Sequence, residues 1–137
     1  MNDTRNPSVQ VQAGKTYFLR IINISGFAQY YFHIDQHNFT IVETDGIYTE
    51  PREAGDLFIA NGQRYGVLLK TRSTATQNYA MLGMMDPNGF DPTVPAPIEN
   101  NVTGVLVYNR EFHVLFRSLA LTTSHSFSPN SNYVTSS

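Results

Sequence analysis

Short runs rich in β-branched and aromatic residues recur about every ten to fifteen residues along the chain, with turn-forming residues between them. None of these runs has the apolar period of a long helix. This spacing is typical of an all-β sandwich or barrel. The apolar run 78–85 is compatible with a strand or a short helix. The predicted strands are residues 8–12, 16–24, 30–34, 39–43, 57–59, 65–70 and 102–108.

Turn residues indicate how some of these strands connect. Asp-Gly at residues 45–46 is the strongest short turn signal, and Asn-Gly at residues 61–62 is a second one. Only the sequence DQHN, residues 35–38, separates the runs 30–34 and 39–43. Because such a short polar connection favours a hairpin, we expect these two strands to pair.

The two stretches without an apolar period differ from the rest. Residues 86–97 contain four of the seven prolines and are predicted to form a loop. Residues 111–137 end in a run rich in Ser, Thr and Asn, and we expect this C-terminal tail to be disordered. Residues 1–110, which include the loop, have the size of one domain.

Composition excludes several classes of function. The net charge is −2 and there is no basic run, so nucleic acid is not an expected partner. No apolar stretch reaches the roughly 18 residues of a membrane-spanning segment, and the N-terminus lacks the layout of a signal peptide. Cysteine is absent, which excludes disulfides, thiolate nucleophiles and cysteine-ligated metal sites.

Four asparagines begin an Asn-x-Ser/Thr triplet, the acceptor motif for N-glycosylation. Four such triplets in 137 residues favour an extracytoplasmic chain, although chance also produces them in a sequence rich in Asn and Thr. Asn23 and Asn38 lie near predicted strands and are expected to be the weaker acceptors. The four candidates are Asn2, Asn23, Asn38 and Asn101.

His33 and His37 are the weak candidates for a metal site, with Asp35 between them. They could share a metal only if the turn brings His37 back toward His33. The ligand count falls short of the usual four of a transition-metal site, so solvated turn residues are the favoured interpretation. His113 and His125 lie in the tail and are expected to be exposed and unliganded.

The stretch VETDGIYTE, residues 42–50, contains Glu43, Asp45 and Glu50. Paired carboxylates can perform acid–base chemistry when a cleft holds their pKa values apart. A solvated strand end that runs into a turn is the favoured alternative. The methionines Met81, Met84 and Met85 could bind soft copper, but core packing is the commoner use of this side chain. The residues by themselves therefore indicate no catalytic site.

Three blocks of the sequence, in order, resemble the multicopper oxidases. Residues 16–23 (TYFLRIIN) are similar to the "TYLLRIVN" strand of that family. Residues 37–46 (HNFTIVETDG) are similar to its "HxMTVVExDG" segment, and residues 62–69 (GQRYGVLL) to its "GQRYxVLV" segment. In the family these blocks belong to the second of three cupredoxin-like domains. The resemblance implies an incomplete cupredoxin-like Greek-key sandwich or barrel over residues 1–110.

Other stretches resemble the fungal iron(II) oxidases more than the laccases. Residues 26–32 are similar to the ferroxidase stretch "GGFxxQYF", and residues 45–50 to "DGITTE". The resemblance implies a fragment of an extracytoplasmic enzyme that couples iron(II) oxidation to dioxygen reduction in iron uptake. Its partners would be the first and third domains and an iron permease. A laccase-like phenol oxidase fragment and a stand-alone secreted β-sandwich binding module are the alternatives.

The resemblance implies that this chain lacks the copper ligands of the family. Copper in the family is held by His-x-His pairs and a His-Cys-His motif of the first and third domains, and this sequence contains neither pattern. The resemblance therefore implies a copper-free structural domain with no catalytic or cofactor-binding residue. We expect the chain alone to be inactive as an oxidase.

Overall fold

The computed structural model describes residues 7–86 and 101–111, and all of its regular structure there is β-strand. The all-β prediction is confirmed, and the run 78–85 is a strand. No helix in this part of the chain is long and apolar enough to cross a bilayer. The strands are β1 (Ser8–Gln10), β2 (Thr16–Ile22), β3 (Tyr30–Ile34), β4 (Phe39–Thr44), β5 (Ile47–Ala54), β6 (Asp56–Ile59), β7 (Arg64–Lys70), β8 (Tyr79–Met85) and β9 (Asn101–Val107).

The strands form two sheets that face each other across the core. The five-stranded sheet has the order β1-β9-β8-β3-β6, and the four-stranded sheet has the order β2-β7-β4-β5. Neighbouring strands are antiparallel except β1 and β9, which are parallel. The chain changes sheet repeatedly, so most strand neighbours are distant in sequence.

The core lies between the inner faces of the two sheets. Alternation along β2 places Tyr17, Leu19 and Ile21 against this core, while the residues between them are exposed. The side chains that are buried most completely come from both sheets and are Ile34, Phe39, Leu57, Val67, Leu69 and Leu106.

The predicted hairpin between runs 30–34 and 39–43 is wrong. β3 pairs with β6 and β8, whereas β4 lies in the other sheet and pairs with β5 and β7. The connection passes from one sheet to the other: Ile34 is buried at the end of β3, and Phe39 is buried at the start of β4 in the opposite sheet. Gln36 accommodates the crossing with a left-handed φ of 57°.

The predicted Asp-Gly turn connects β4 to β5. Asp45 and Gly46 both have positive φ, 52° and 89°, as a two-residue type I′ hairpin requires. β5 itself was not predicted from the sequence, because Pro51 interrupts its pattern and almost all of it is exposed. A proline is tolerated there since β5 is an edge strand of its sheet. The predicted loop 86–97, after its first residue, and the predicted tail, after residue 111, lie outside the described residues.

Candidate functional site

His37 is buried where the chain crosses from β3 to β4. Its Nδ1 lies 2.7 Å from the carbonyl oxygen of Asp35, and its Nε2 lies 2.7 Å from the hydroxyl of Tyr108. A carbonyl can only accept, so Nδ1 carries the proton and Nε2 accepts from the Tyr108 hydroxyl. The same hydroxyl accepts the backbone N–H of Arg72 at 2.8 Å. Both imidazole nitrogens are thus occupied.

The surroundings of His37 favour its neutral form. Burial lowers the pKa of His37 below its ordinary value of 6.5, and the Arg72 guanidinium lowers it further. The hydrogen bond to the Asp35 carbonyl and the charge of Asp35 oppose this shift. Burial also raises the pKa of the Tyr108 hydroxyl, so this group remains a hydrogen-bond donor.

Aromatic rings surround the imidazole. Tyr79 meets His37 edge-on with ring centroids 4.8 Å apart, and Tyr108 lies 5.8 Å from it. The Arg72 guanidinium lies over the Tyr79 ring at 5.9 Å and its Nη1 donates to the Gln36 carbonyl. We call His37, Arg72, Tyr79 and Tyr108 the end cluster. It joins elements of both sheets at one end of the sandwich.

Asn78 adjoins the end cluster, because it precedes Tyr79 and is hydrogen-bonded to the backbone of Tyr108. Its Oδ1 accepts the backbone N–H groups of Tyr108 and Asn109, and its Nδ2 donates to the Asn109 carbonyl. This buried amide therefore satisfies the backbone just beyond β9. Sequence reasoning did not single out Asn78, Arg72 or Tyr108, because their partners lie about 30 to 70 residues away.

His33 has a separate environment on β3. Its Nδ1 lies 2.7 Å from Asp56 Oδ1, and its Nε2 lies 3.3 Å from Asp35 Oδ1. The imidazole lies between the two carboxylates, and each ring nitrogen faces one of them. This arrangement does not direct the three side chains toward a common metal ion. His33 and His37 both contact Asp35, but through different atoms, the carboxylate for His33 and the backbone carbonyl for His37. His113 and His125 lie outside the described residues.

The three carboxylates of residues 42–50 do not form a common site. Glu43 lies beside Arg20, with Oε2 and Nη2 3.7 Å apart, and Asp45 accepts the Arg64 backbone N–H at 3.0 Å. Glu50 is exposed on β5. The acid–base hypothesis therefore gains no support from the geometry.

The expectation of a solvated strand end is wrong for Glu43. Its side chain is only 12% exposed, and its Oε2 is buried without a hydrogen-bond partner among the described residues. Gly66 lies opposite Glu43 on β7, and Phe18 leans over this glycine from β2. Because Gly66 has no side chain, Phe18 and Glu43 can both occupy the space above it.

Comparison with known proteins decides the family. A profile described as multicopper oxidase matches residues 1–111. The chain belongs to the multicopper oxidase family. It is 43% identical over 108 residues to the iron transport multicopper oxidase FET3 of Candida albicans, covering 79% of this chain and 17% of that protein. It is 44% identical over 110 residues to the iron transport multicopper oxidase fio1 of Schizosaccharomyces pombe, covering 80% and 18%.

Solved multicopper oxidases have the same fold. The chain matches the crystal structure of Fet3p, described as a multicopper oxidase that functions in iron import, with a TM-score of 0.75 and 36% identity over 98% of this chain and 23% of that one. It matches the laccase of Botrytis aclada with a TM-score of 0.67 and 27% identity, covering 78% and 19%. The predicted family and cupredoxin-like fold are confirmed. The chain spans less than a fifth of the length of the curated relatives named above.

The residues of this multicopper oxidase domain do not fit a copper centre. Blue copper requires a cysteine thiolate, and the sequence contains no cysteine. His33 and His37 have their ring nitrogens engaged by oxygen atoms of the protein. Residues 7–86 and 101–111 contain no group of three or more His, Cys, Asp or Glu that could hold a metal ion. Met81, one of the candidate soft ligands, packs against the hydrophobic core.

The glycosylation candidates of the domain differ in exposure. Asn38, expected to be a weaker acceptor, is exposed just before β4. Asn23 is buried, and its Nδ2 donates to the carbonyls of Ala28 and Ile59. Asn101 is partly buried, and Asn2 lies outside the described residues. A glycan on the Asn23 amide would remove at least one of these buried hydrogen bonds, so its geometry favours an unmodified side chain.

Proposed function

We propose that residues 1–110 are the second cupredoxin-like domain of a fungal multicopper oxidase of the ferroxidase type. The observation that carries this proposal is the likeness of the two-sheet fold to Fet3p, in a domain whose histidines are engaged in internal hydrogen bonds. The domain contributes structure rather than chemistry. It provides surfaces on which the copper-bearing first and third domains are held in position.

The parent enzyme would oxidise four iron(II) ions to iron(III) while reducing one dioxygen to two water molecules with the uptake of four protons. Support comes from the relatives named as iron transport oxidases, at 43% and 44% identity. A phenol-oxidising laccase is the second candidate, supported by the likeness to the Botrytis aclada enzyme. No step of either reaction is assigned to residues of this chain.

The resemblance to the iron transport oxidases supports an extracytoplasmic location for the parent enzyme and an iron permease as its partner. The names of the relatives refer to iron transport, and Asn38 presents an exposed acceptor motif that an extracytoplasmic chain could use. Mass spectrometry of the chain from a secreting host would test whether these acceptor motifs can be used. Absence of glycan at every motif would remove the support that these asparagines provide.

The proposed function can be tested by domain replacement. Residues 1–110 of this chain replace the matching segment of the Saccharomyces cerevisiae iron transport multicopper oxidase FET3, with which the chain shares 39% identity over 110 residues. We expect the hybrid to assemble, to load copper and to oxidise iron(II), because this segment only has to hold the FET3 copper-bearing domains in position. The isolated chain, reconstituted with copper, should have neither a blue-copper absorption band nor oxidase activity.

Other outcomes distinguish the alternatives. Copper loading when residues 1–110 replace the matching segment of the Botrytis aclada laccase, but not that of FET3, would support the laccase assignment. An isolated chain that is a stable, monodisperse monomer, combined with a hybrid that cannot assemble, would support the stand-alone binding module. A blue-copper band from the isolated chain would contradict the assignment as a copper-free domain.

A further inference from the structure

The contact between Tyr108 and His37 joins an oxidisable phenol to a base. The Tyr108 hydroxyl donates its proton to His37 Nε2 over 2.7 Å. This separation lies within the roughly 2.6–3.2 Å over which a side chain can take a proton from a reacting group. His37 Nδ1 already carries a proton and donates it to the Asp35 carbonyl, so Nε2 is the nitrogen that can bind one more. The pair therefore has the geometry for transfer of the phenol proton to the imidazole.

Composition makes tyrosine the side chain of this protein that loses a single electron most readily. The sequence contains eight tyrosines and neither tryptophan nor cysteine. A phenol that has lost an electron is a much stronger acid than the neutral phenol, so a base that takes its proton promotes the oxidation. The described histidines are His33 and His37, and the ring nitrogens of His33 face carboxylates. Within residues 7–86 and 101–111, Tyr108 is thus the tyrosine whose hydroxyl is hydrogen-bonded to an imidazole.

The groups around the pair stabilise the products of this transfer. His37 Nδ1 continues to donate to the Asp35 carbonyl, and the negative charge of Asp35 favours an imidazolium. The oxidised Tyr108 oxygen keeps the hydrogen bond from the backbone N–H of Arg72, at 2.8 Å. Burial and the Arg72 guanidinium oppose the imidazolium. The transfer remains favourable because oxidation strengthens the phenol as an acid by far more than these two effects weaken the base.

Tyr79 is the neighbouring ring that competes for the oxidised state. Its centroid lies 5.4 Å from that of Tyr108 in an edge-on arrangement, close enough for an electron to pass between the rings. The Arg72 guanidinium lies over the Tyr79 ring at 5.9 Å. A cation over the ring face is attracted by its electrons, so removing one of them from Tyr79 is disfavoured. The oxidised state should therefore settle on Tyr108.

We propose that Tyr108 is a redox-active tyrosine and that His37 is the acceptor of its proton. A one-electron outer-sphere oxidant of high potential, such as a ruthenium(III) polypyridyl complex, takes one electron from the phenol. The O–H bond of Tyr108 breaks, an N–H bond forms at His37 Nε2, and a neutral tyrosyl radical remains beside an imidazolium. Return of an electron and of the proton restores the starting pair. The proposal does not rest on the proposed function, because the oxidant is supplied from outside the protein.

The test generates this oxidant by flash photolysis of a ruthenium(II) polypyridyl complex and a sacrificial electron acceptor, mixed with the full 137-residue chain. Rapid freezing traps the radical for electron paramagnetic resonance, and circular dichroism checks that each variant is folded. Tyr108→Phe should lower the radical yield at least about tenfold, and His37→Asn should do the same because an amide cannot replace a positioned base. Tyr48→Phe is the matched control, at a tyrosine that is 80% exposed, and should change the yield less than about twofold.

A second measurement uses the chain without substitutions, so it does not depend on the stability of any variant. With isotope-labelled histidine, pulsed electron paramagnetic resonance should detect an imidazole nitrogen and an exchangeable proton coupled to the tyrosyl radical. Absence of the nitrogen coupling would overturn the proposal, as would equal losses of radical from Tyr48→Phe and Tyr108→Phe. An unchanged yield in folded His37→Asn would show that the imidazole is not the proton acceptor.

Discussion

The Nε2 atom of His37 accepts a hydrogen bond from the hydroxyl of Tyr108, which lies 71 residues further along the chain. This 2.7 Å contact joins the crossing between the two sheets to the end of β9. The Tyr108 hydroxyl also accepts the backbone N–H of Arg72, just after β7. One phenol group thus connects three segments that the sequence separates widely.

We expect the stability of the chain to decrease as the pH falls below about 6.5. The pKa of His37 is lowered in the folded state, so the unfolded chain binds a proton more readily. The stabilisation is complete above the unfolded pKa and is lost as the pH falls toward the folded pKa, at about 1.4 kcal/mol for each unit between the two values. Urea unfolding from about pH 7.5 to 5.5, above most carboxyl pKa values, measures the dependence.

His37→Asn is the control for that measurement. An amide nitrogen at this position keeps a donor for the Asp35 carbonyl but does not titrate. The variant should be less stable at pH 7, since the Tyr108 hydroxyl loses its acceptor, and its stability should change less between pH 7.5 and 5.5, about where histidine titrates. Identical pH dependence in the two proteins would show that His37 is not the titrating group.

Tyr108→Phe should destabilise the chain by about 1–3 kcal/mol, because it leaves His37 Nε2 and the Arg72 N–H without their partner. The aromatic contacts with Tyr79 and His37 remain possible, so the loss reports the hydroxyl alone. Tyr48→Phe removes a hydroxyl from a side chain that is 80% exposed and should change stability by less than about 0.5 kcal/mol. Equal effects of the two substitutions in urea unfolding would refute the role given to the end cluster.

Gly66→Ala should destabilise the chain by about 1–3 kcal/mol through overpacking. A Cβ at this position would lie 2.8 Å from both the Glu43 Cβ and the Phe18 Cζ. The Phe18 ring can rotate away, but the Glu43 Cβ is fixed to the backbone of β4, so this strand would have to shift. Gly26→Ala is the matched control, since nothing lies within 4 Å of its added Cβ. Thermal unfolding that leaves both variants at the same midpoint would contradict the packing described for Gly66.

Glycans should be found on Asn38 but not on Asn23 when the chain is secreted from a eukaryotic host. Asn38 is exposed, whereas the Asn23 amide donates to two buried carbonyls. Asn38→Gln should remove the glycan and leave the unfolding midpoint almost unchanged. Asn23→Gln should cost about 1–3 kcal/mol because buried acceptors lose their donor. Peptide mass spectrometry that finds Asn23 occupied in the folded protein would reverse this assignment.

Local patterns were sufficient to predict most strands. The alternation of Tyr17, Leu19 and Ile21 defines the inner face of β2, and the Asp-Gly pair defines the turn before β5. Strand pairing was harder, because a short polar connection after β3 does not reveal that Ile34 and Phe39 are buried on opposite sheets. β5 was missed since an exposed edge strand needs neither apolar alternation nor the absence of proline.

The environment of the candidate residues depends on contacts between residues that are distant in sequence, which their spacing does not predict. Glu43 is buried beneath Phe18 because Gly66, opposite it on β7, has no side chain. The Nε2 atom of His37 is hydrogen-bonded because Tyr108 reaches it from just beyond β9. One signal for His37 was available: it falls between two residues that both belong to the core, Ile34 and Phe39. A polar residue in such a position is more often buried and hydrogen-bonded than solvated.

β1 and β9, the first and last strands described, lie side by side and run in the same direction. The Pro7 carbonyl accepts the N–H of Val105, and the N–H of Val11 donates to the Val107 carbonyl, each at 2.9 Å. The chain therefore enters this sheet edge at one end and leaves it at the other. A mechanical pull between the segments before and after the domain runs lengthwise along both strands. Their hydrogen bonds then share the load in shear and do not peel apart one by one.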